Sequence, residues 1–186
     1  SVYDIFGLLS CGGRIVLPDA AHTSPPQPSE WLTLVEREGV SVWNSVPAFV
    51  ELLAGEAEAG GVALPASLRV ILMSGDWIPL GLPPRLLALT ACSRLRVVSM
   101  GGATEAAIWS NIYEVGPSLP EGWKSIPYGR PLRNQTMYVL DEQFEQCEAW
   151  VTGSIHIGGA GVAHGYYKDA ALIRRDFECD PATAAP

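Results

Sequence analysis

The residues best suited to bind a ligand or take part in a reaction lie in segment 99–111, where two glycines precede a hydroxyl and a carboxylate. Gly101 and Gly102 allow a tight turn and let the backbone approach a ligand without a Cβ in the way. Thr104 can donate a hydrogen bond to a phosphate oxygen, and Glu105 can bind Mg²⁺. The segment therefore suits nucleotide chemistry, although a strand–turn–helix connection capped by Thr104 would use the same residue types.

The elements that must position this segment predict an α/β fold. Apolar strand-like runs at 14–17, 40–46, 68–73 and 95–100 alternate with helix-like runs, including one capped by Ser29 and one opened by Pro47. This alternation is typical of a parallel, doubly wound sheet with flanking helices, in which ligands bind beyond the carboxyl ends of the strands. Strand-end residues should then share one edge of the sheet: Asn44, Ser74 and the turn 101–105.

The composition changes after Tyr113, where prolines and glycines become frequent. We expect residues 1–115 to form an α/β subdomain and residues 116–186 to form a Pro/Gly-rich connector followed by a small β-rich, barrel-like subdomain. Its predicted strands are 135–140, 148–157 and 162–164, a short helix is predicted at 168–177, and residues 181–186 read as a loose end. The glycine-dense stretch 153–167 continues the β-type alternation, which argues against a dinucleotide-binding fingerprint.

Composition limits the classes of function. The chain has 186 residues, 48% of them hydrophobic, with a mean hydropathy of +0.17, enough for a large domain with a real core. Its formal net charge of −8, without a basic block, argues against nucleic acid or a membrane as a partner. The four cysteines are scattered without a C-x-x-C pair, so we expect a reduced, cytoplasmic protein without zinc.

Three segments resemble motifs of the adenylation domains of nonribosomal peptide synthetases, which are adenylate-forming ligases. The segments follow one another along the chain in the order and at the spacing of the family's motifs. Segment 100–105 resembles the family's glycine–Pro–Thr–Glu motif, segment 153–166 its later glycine-rich motif ending in Gly-Tyr, and segment 1–6 the tail of the motif that begins with the substrate-binding Asp. The resemblance implies that the phosphate loop precedes this segment and that the catalytic Lys follows it. We therefore expect the segment alone to be inactive.

The resemblance also implies an activity and its cofactors. An amino acid carboxylate would attack the α-phosphorus of ATP and release pyrophosphate, and the acyl group would pass to the phosphopantetheine thiol of a carrier protein. Thr104 would contact the α-phosphate and Glu105 would hold Mg²⁺, which makes them the expected catalytic pair. The backbone flanking the adenine would come from Gly75, Asp76, Gly101 and Gly102.

The family's substrate-reading positions correspond to Tyr3, Asn44, Leu72, Ser74, Met100, Ile108 and Trp109. This combination is similar to that of cysteine-activating domains, and a small pocket narrowed by Met100 and Trp109 would fit a short thiol side chain. Serine is the nearest competitor. The implied partners are the carrier protein, a heterocyclisation or methyltransferase domain, and a small accessory protein.

The sequence departs from the family pattern at several positions. Gly101 stands where the family usually has an adenine-stacking aromatic, and Ala103 replaces the usual Pro. Ser154 replaces the usual Glu, and His164 occupies a position that is commonly basic.

Two other functions stay open. An acyl- or aryl-activating ligase of the same superfamily would lack the Asp expected just before Ser1, and a non-catalytic interaction segment would belong to a protein that lacks the downstream Lys.

Overall fold

A computed structural model describes residues 2–177 of the chain, in which two compact units are distinguished. The first unit consists of the described residues up to Met100 together with Tyr113–Tyr128. The second consists of Gly101–Ile112 and the described residues from Gly129 onward. The division at residue 115 expected from composition stays a prediction, and the expected loose end at 181–186 lies outside the described residues.

The elements follow the expected alternation. The helices are α1 (Pro28–Glu38), α2 (Pro47–Ala59), α3 (Leu82–Leu89) and α4 (Ala170–Asp176). The strands are β1 (Val42–Ser45), β2 (Val70–Met73), β3 (Arg96–Gly101), β4 (Asn111–Val115), β5 (Arg130–Pro131), β6 (Gln135–Leu140) and β7 (Ser154–Gly159). Among the described residues, no helix combines the length and the apolar character needed to cross a membrane.

The sheet confirms the predicted α/β class. In the described residues its order is β1-β2-β3-β4-β5, with β1, β2 and β3 parallel and β5 antiparallel to β4. Ile71 and Met73 point to one face of β2 and Leu72 to the other, and all three are buried, as expected for a parallel strand covered on both faces. The β-rich part predicted in the second half contains a two-stranded antiparallel sheet of β6 and β7.

Helix ends in the first unit follow from proline and glycine chemistry. Pro28 and Pro47 begin α1 and α2, where the missing N–H costs no intrahelical hydrogen bond. Gly39 ends α1 in the left-handed region, at φ 60°. The predicted cap at Ser29 is wrong, because the helix begins at Pro28, and Gln27, two residues before Ser29, occupies the capping position.

Two predicted strands are absent. Residues 14–17 consist of Arg14 and three apolar side chains, but no neighbouring strand among the described residues pairs with them. A strand without a partner leaves its backbone groups unsatisfied. Leu17 is correspondingly 80% exposed. Residues 162–164 also form no strand; Ala163 donates its backbone N–H to Glu105 O at 2.7 Å instead of joining a ladder.

The core of the first unit lies where α2 packs against α1 and α3. Leu53 of α2 is fully buried, whereas the adjacent Leu52 is 42% exposed. We expect Leu53→Ala to lower the free energy of unfolding by about 2–5 kcal/mol, because it removes packed methyl groups and leaves a cavity. Chemical denaturation monitored by circular dichroism measures the loss, with Leu52→Ala as the matched control. Equal losses in the two variants would contradict this assignment of the core.

Candidate functional site

In the first unit, polar and apolar candidates gather at the carboxyl ends of parallel strands. The register places Asn44 of β1 beside Leu72 of β2. Ser74 directly follows β2, and its backbone N–H donates to Ser45 O at 3.4 Å. Met100 lies near the end of β3. Leu72 and Met100 are buried, 8% and 9% exposed respectively, so they can form the floor of a site but offer little open surface.

Tyr3 and Asn44 line the same cavity, which has a volume of about 460 Å³. Tyr3 lies in the short helical segment Tyr3–Gly7, and burial raises the pKa of its phenol. Asn44 Nδ2 donates to Asp4 Oδ1 at 2.5 Å, which ties the N-terminal segment to β1. Trp31 and Phe49 supply apolar wall on the helix side. Tyr3 and Asn44, two of the expected substrate-reading residues, thus border one cavity of this unit, and their role in reading a substrate stays a prediction.

Gly75 and Asp76 form the turn after β2. Gly75 adopts a φ of 84°, in the left-handed region that glycine favours. Asp76 Oδ1 accepts a hydrogen bond from the backbone N–H of Trp77 at 2.7 Å, and the Asp76 side chain is exposed. This turn can therefore present backbone atoms at the same strand edge as Ser74.

In the second unit, residues 101–110 form a tightly closed loop. The backbone N–H of Ser110 donates to Gly101 O at 2.7 Å, and that of Ile108 donates to Ala103 O at 2.9 Å. Only Thr104–Ala106 is helical, as a single 3₁₀ turn. Ala107 and Ile108 leave the helical conformation, with φ of 58° and 74°.

These positive φ values indicate stored strain. A β-branched residue such as Ile108 rarely adopts the left-handed region, and strain of this kind persists only where the surroundings enforce it. The enforcing contacts come from the chain around β6. Gln135 Nε2 donates to Trp109 O at 2.9 Å, and the backbone N–H of Leu132 donates to Ser110 O at 2.8 Å. The loop is therefore preorganised rather than loose.

Glu105 is the residue of this loop whose side-chain contacts are best defined. Its carboxylate is partly buried and accepts a hydrogen bond from the hydroxyl of Tyr166, which holds the pKa of Glu105 below its usual range. The same hydrogen bond raises the pKa of Tyr166. Thr104, the neighbouring candidate, is exposed. The loop thus presents an ionised carboxylate next to an accessible hydroxyl.

Tyr166 is a site residue that sequence reasoning did not nominate. It ends the glycine-dense stretch 153–166, whose motif resemblance was the available signal. Its hydroxyl also contacts Asp176 Oδ2 at 3.0 Å, and its ring packs edge-on against Phe177 with 5.4 Å between ring centroids. Pairing with a residue 61 positions away is not readable from local sequence.

The donor set fits a magnesium ion that is shared with a phosphate ligand. Among residues 2–177 no group of three or more His, Cys, Asp or Glu side chains is arranged to hold a metal by itself. Mg²⁺ commonly binds one or two carboxylates and completes its octahedron with water and substrate phosphates. The Glu105 carboxylate, which accepts from Tyr166 through Oε1, would supply such a ligand.

Comparisons with known proteins show which family the chain resembles. Residues 1–167 match the family described as AMP-binding enzyme. The chain is 46% identical over 181 residues to pyochelin synthetase PchF of Pseudomonas aeruginosa, covering 97% of this chain and 10% of that protein. It is 43% identical over 177 residues to the anguibactin system regulator of Vibrio anguillarum, covering 95% of this chain and 16% of that protein.

Solved structures of the nonribosomal peptide synthetase FmoA3 have the same fold. The AMPPNP-bound form superposes with a TM-score of 0.88 at 40% identity, over 98% of this chain and 19% of that one. The form bound to α-methyl-L-serine-AMP gives a TM-score of 0.83 at 42% identity, over 91% and 19% of the two chains. The chain thus spans about a tenth to a fifth of the length of each of these proteins.

Proposed function

The chain belongs to the AMP-binding enzyme family, and we propose that it is the central segment of an amino-acid-activating adenylation domain in a nonribosomal peptide synthetase. The observation that carries the proposal is the family match over residues 1–167. The strand edge of the first unit and the rigid, carboxylate-bearing loop of the second supply groups suited to an amino acid and a nucleotide. The reaction joins an amino acid carboxylate to the α-phosphorus of ATP and releases pyrophosphate.

The residues of the loop take distinct roles in this reaction. Thr104 donates its hydroxyl hydrogen to an α-phosphate oxygen, and Glu105 supplies a carboxylate ligand to Mg²⁺. When bound, Mg²⁺ neutralises charge on the phosphate oxygens. The backbone at Gly75, Asp76, Gly101 and Gly102 flanks the adenine. Because strain and hydrogen bonds fix the loop before substrate arrives, its groups need little reorganisation during the reaction.

Cysteine is the proposed substrate. The side-chain pocket would be formed by Tyr3, Asn44, Leu72, Ser74, Met100, Ile108 and Trp109. The buried thioether of Met100 is a polarizable wall that suits a thiol, and Ser74 adds a polar group. The serine-derived adenylate bound by FmoA3 makes serine activation the second candidate for this chain.

Later steps require partners. We propose that the activated acyl group is transferred to the phosphopantetheine thiol of a carrier protein. A neighbouring heterocyclisation or methyltransferase domain, and a small accessory protein, are further proposed partners. FmoA3, which this chain resembles, is named a nonribosomal peptide synthetase, and this supports the carrier protein as a partner; the further partners rest on the sequence resemblance alone.

Amino-acid-dependent ATP–pyrophosphate exchange by the full-length protein tests the substrate assignment. We expect kcat/KM for cysteine to exceed that for serine by about 10- to 100-fold, because a pocket without a dedicated hydroxyl partner discriminates the two side chains only moderately. Alanine, which lacks both the thiol and the hydroxyl, is the matched control substrate and should be weaker than cysteine. Equal exchange with serine would favour the second candidate, and absence of exchange with any amino acid would contradict the proposed function.

A further inference from the structure

The hydroxyl of Tyr166 lies between two carboxylates that come from distant parts of the chain. It donates to Glu105 Oε1, in the loop after β3. It also contacts Asp176 Oδ2, in α4, at a distance of 3.0 Å. A phenol carries one hydrogen, so it donates fully to only one acceptor at a time. The contact to Glu105 is the closer of the two, which makes the Glu105 carboxylate the principal acceptor.

The phenol is itself held in place from two directions. Its ring packs against Phe177 in an edge-on arrangement, and the preceding Gly165 has a φ of 134°. A Cβ at Gly165 would lie only 2.8 Å from Ile173 Cδ1, so glycine permits this close approach of the segment to α4. A tyrosine anchored in this way has little freedom to follow Glu105 if the carboxylate moves.

The backbone of Glu105 is tied to the same segment. Its carbonyl oxygen accepts a hydrogen bond from the N–H of Ala163 at 2.7 Å, three residues before Tyr166. Segment 163–166 thus holds Glu105 at both its main chain and its side chain. The main-chain contact fixes the position from which the Glu105 side chain extends, and the contact with the Tyr166 hydroxyl restricts the rotation of that side chain.

We infer that Tyr166 is a positioning residue, which holds Glu105 through Oε1 and so keeps its carboxylate in the orientation that would bind a divalent cation carried by the nucleotide. This inference rests on the proposed function, in which Glu105 is a metal ligand. Partners that orient a metal-ligating carboxylate commonly change metal affinity by about 10- to 100-fold when they are removed. Tyr166 does not itself contact the metal or the reacting atoms in this arrangement.

Tyr166→Phe tests the inference because it keeps the ring and its contact with Phe177 and removes only the hydroxyl. In the full-length protein, we expect about a tenfold weaker affinity for Mn²⁺ in the presence of AMPPNP, measured by electron paramagnetic resonance. The Mg²⁺ concentration for half-maximal exchange should rise by a similar factor, while KM for the amino acid stays within about twofold. The matched control is Tyr167→Phe, since Tyr167 is 88% exposed, and this variant should resemble the wild type.

The outcomes separate this inference from the proposed function. Wild-type Mn²⁺ affinity in Tyr166→Phe, together with lost affinity in Glu105→Gln, would overturn the role of Tyr166 and leave the proposed function standing. Absence of amino-acid-dependent exchange in the wild type would instead contradict the proposed function. Asp176→Asn serves as a second variant that leaves the phenol intact. It should keep Mn²⁺ affinity within about twofold, and a tenfold loss would overturn the inference by making Asp176 the principal partner.

Discussion

Replacing Glu105 with glutamine is expected to lower the rate of amino-acid-dependent ATP–pyrophosphate exchange by about 100-fold or more. The amide side chain keeps the size of the original and an oxygen that can accept from the Tyr166 hydroxyl, so the loop should retain its shape. What the variant loses is the negative charge that would bind Mg²⁺. Exchange measured over a range of Mg²⁺ concentrations should show that excess metal recovers only part of the rate.

A second glutamate, in the first unit, provides the matched control for this charge neutralisation. Glu114 forms a two-point ion pair with Arg96, with Nε–Oε1 and Nη2–Oε2 distances of 3.0 and 2.6 Å. Its side chain is about half exposed, so Glu114→Gln should cost less than about 1 kcal/mol of stability and leave exchange near the wild-type rate. If Glu105→Gln retained a rate within about threefold of wild type, Glu105 would not be the metal ligand.

Replacing Gly102 with alanine is expected to disrupt the loop that carries Thr104 and Glu105. A Cβ at residue 102 would lie 2.3 Å from Ile108 O and 2.7 Å from Ser110 N, and both of these atoms belong to backbone. The φ of 151° adds a conformation that L side chains rarely adopt. We expect a loss of about 2–4 kcal/mol in the stability of the second unit, together with loss of exchange. Hydrogen exchange of the amides in residues 101–110 measures the opening of the loop directly.

Gly122→Ala separates this steric effect from the general cost of a positive φ. Gly122 has a φ of 85°, but a Cβ there would meet nothing within 4 Å. Its substitution should cost about 1 kcal/mol and leave exchange unchanged. If Gly102→Ala behaved like Gly122→Ala, the close contact with residues 108 and 110 would not control the loop.

The parallel core was predictable because its signals are local and repeated. Prolines begin α1 and α2, a glycine ends α1, and each buried strand is a short apolar run. Strand bounds differ from the prediction by only a few residues, as for β2, where the expected 68–73 is observed as Val70–Met73. The shared strand direction follows from the alternation of strands with helices. In the resulting parallel register, Asn44 lies beside Leu72.

The features that were not predicted correctly, or not predicted at all, depend on partners distant in sequence. The left-handed conformation of Ala107 and Ile108 follows from hydrogen bonds that reach Leu132 and Gln135, and residue type alone would not suggest it. Residues 14–17 have strand-like composition, but a strand needs a neighbour. How the candidate residues of the two units combine into one pocket stays a prediction.

The loop of residues 101–110 is secured through main-chain oxygens. Carbonyl groups of Ala103, Glu105, Trp109 and Ser110 accept the hydrogen bonds that fix its path. Substitutions that change the side chains at Ile108 and Trp109 therefore leave the acceptors themselves in place. If Ile108 and Trp109 read the substrate side chain, as proposed, the amino acid preference could change at these two positions while the path of the loop is kept.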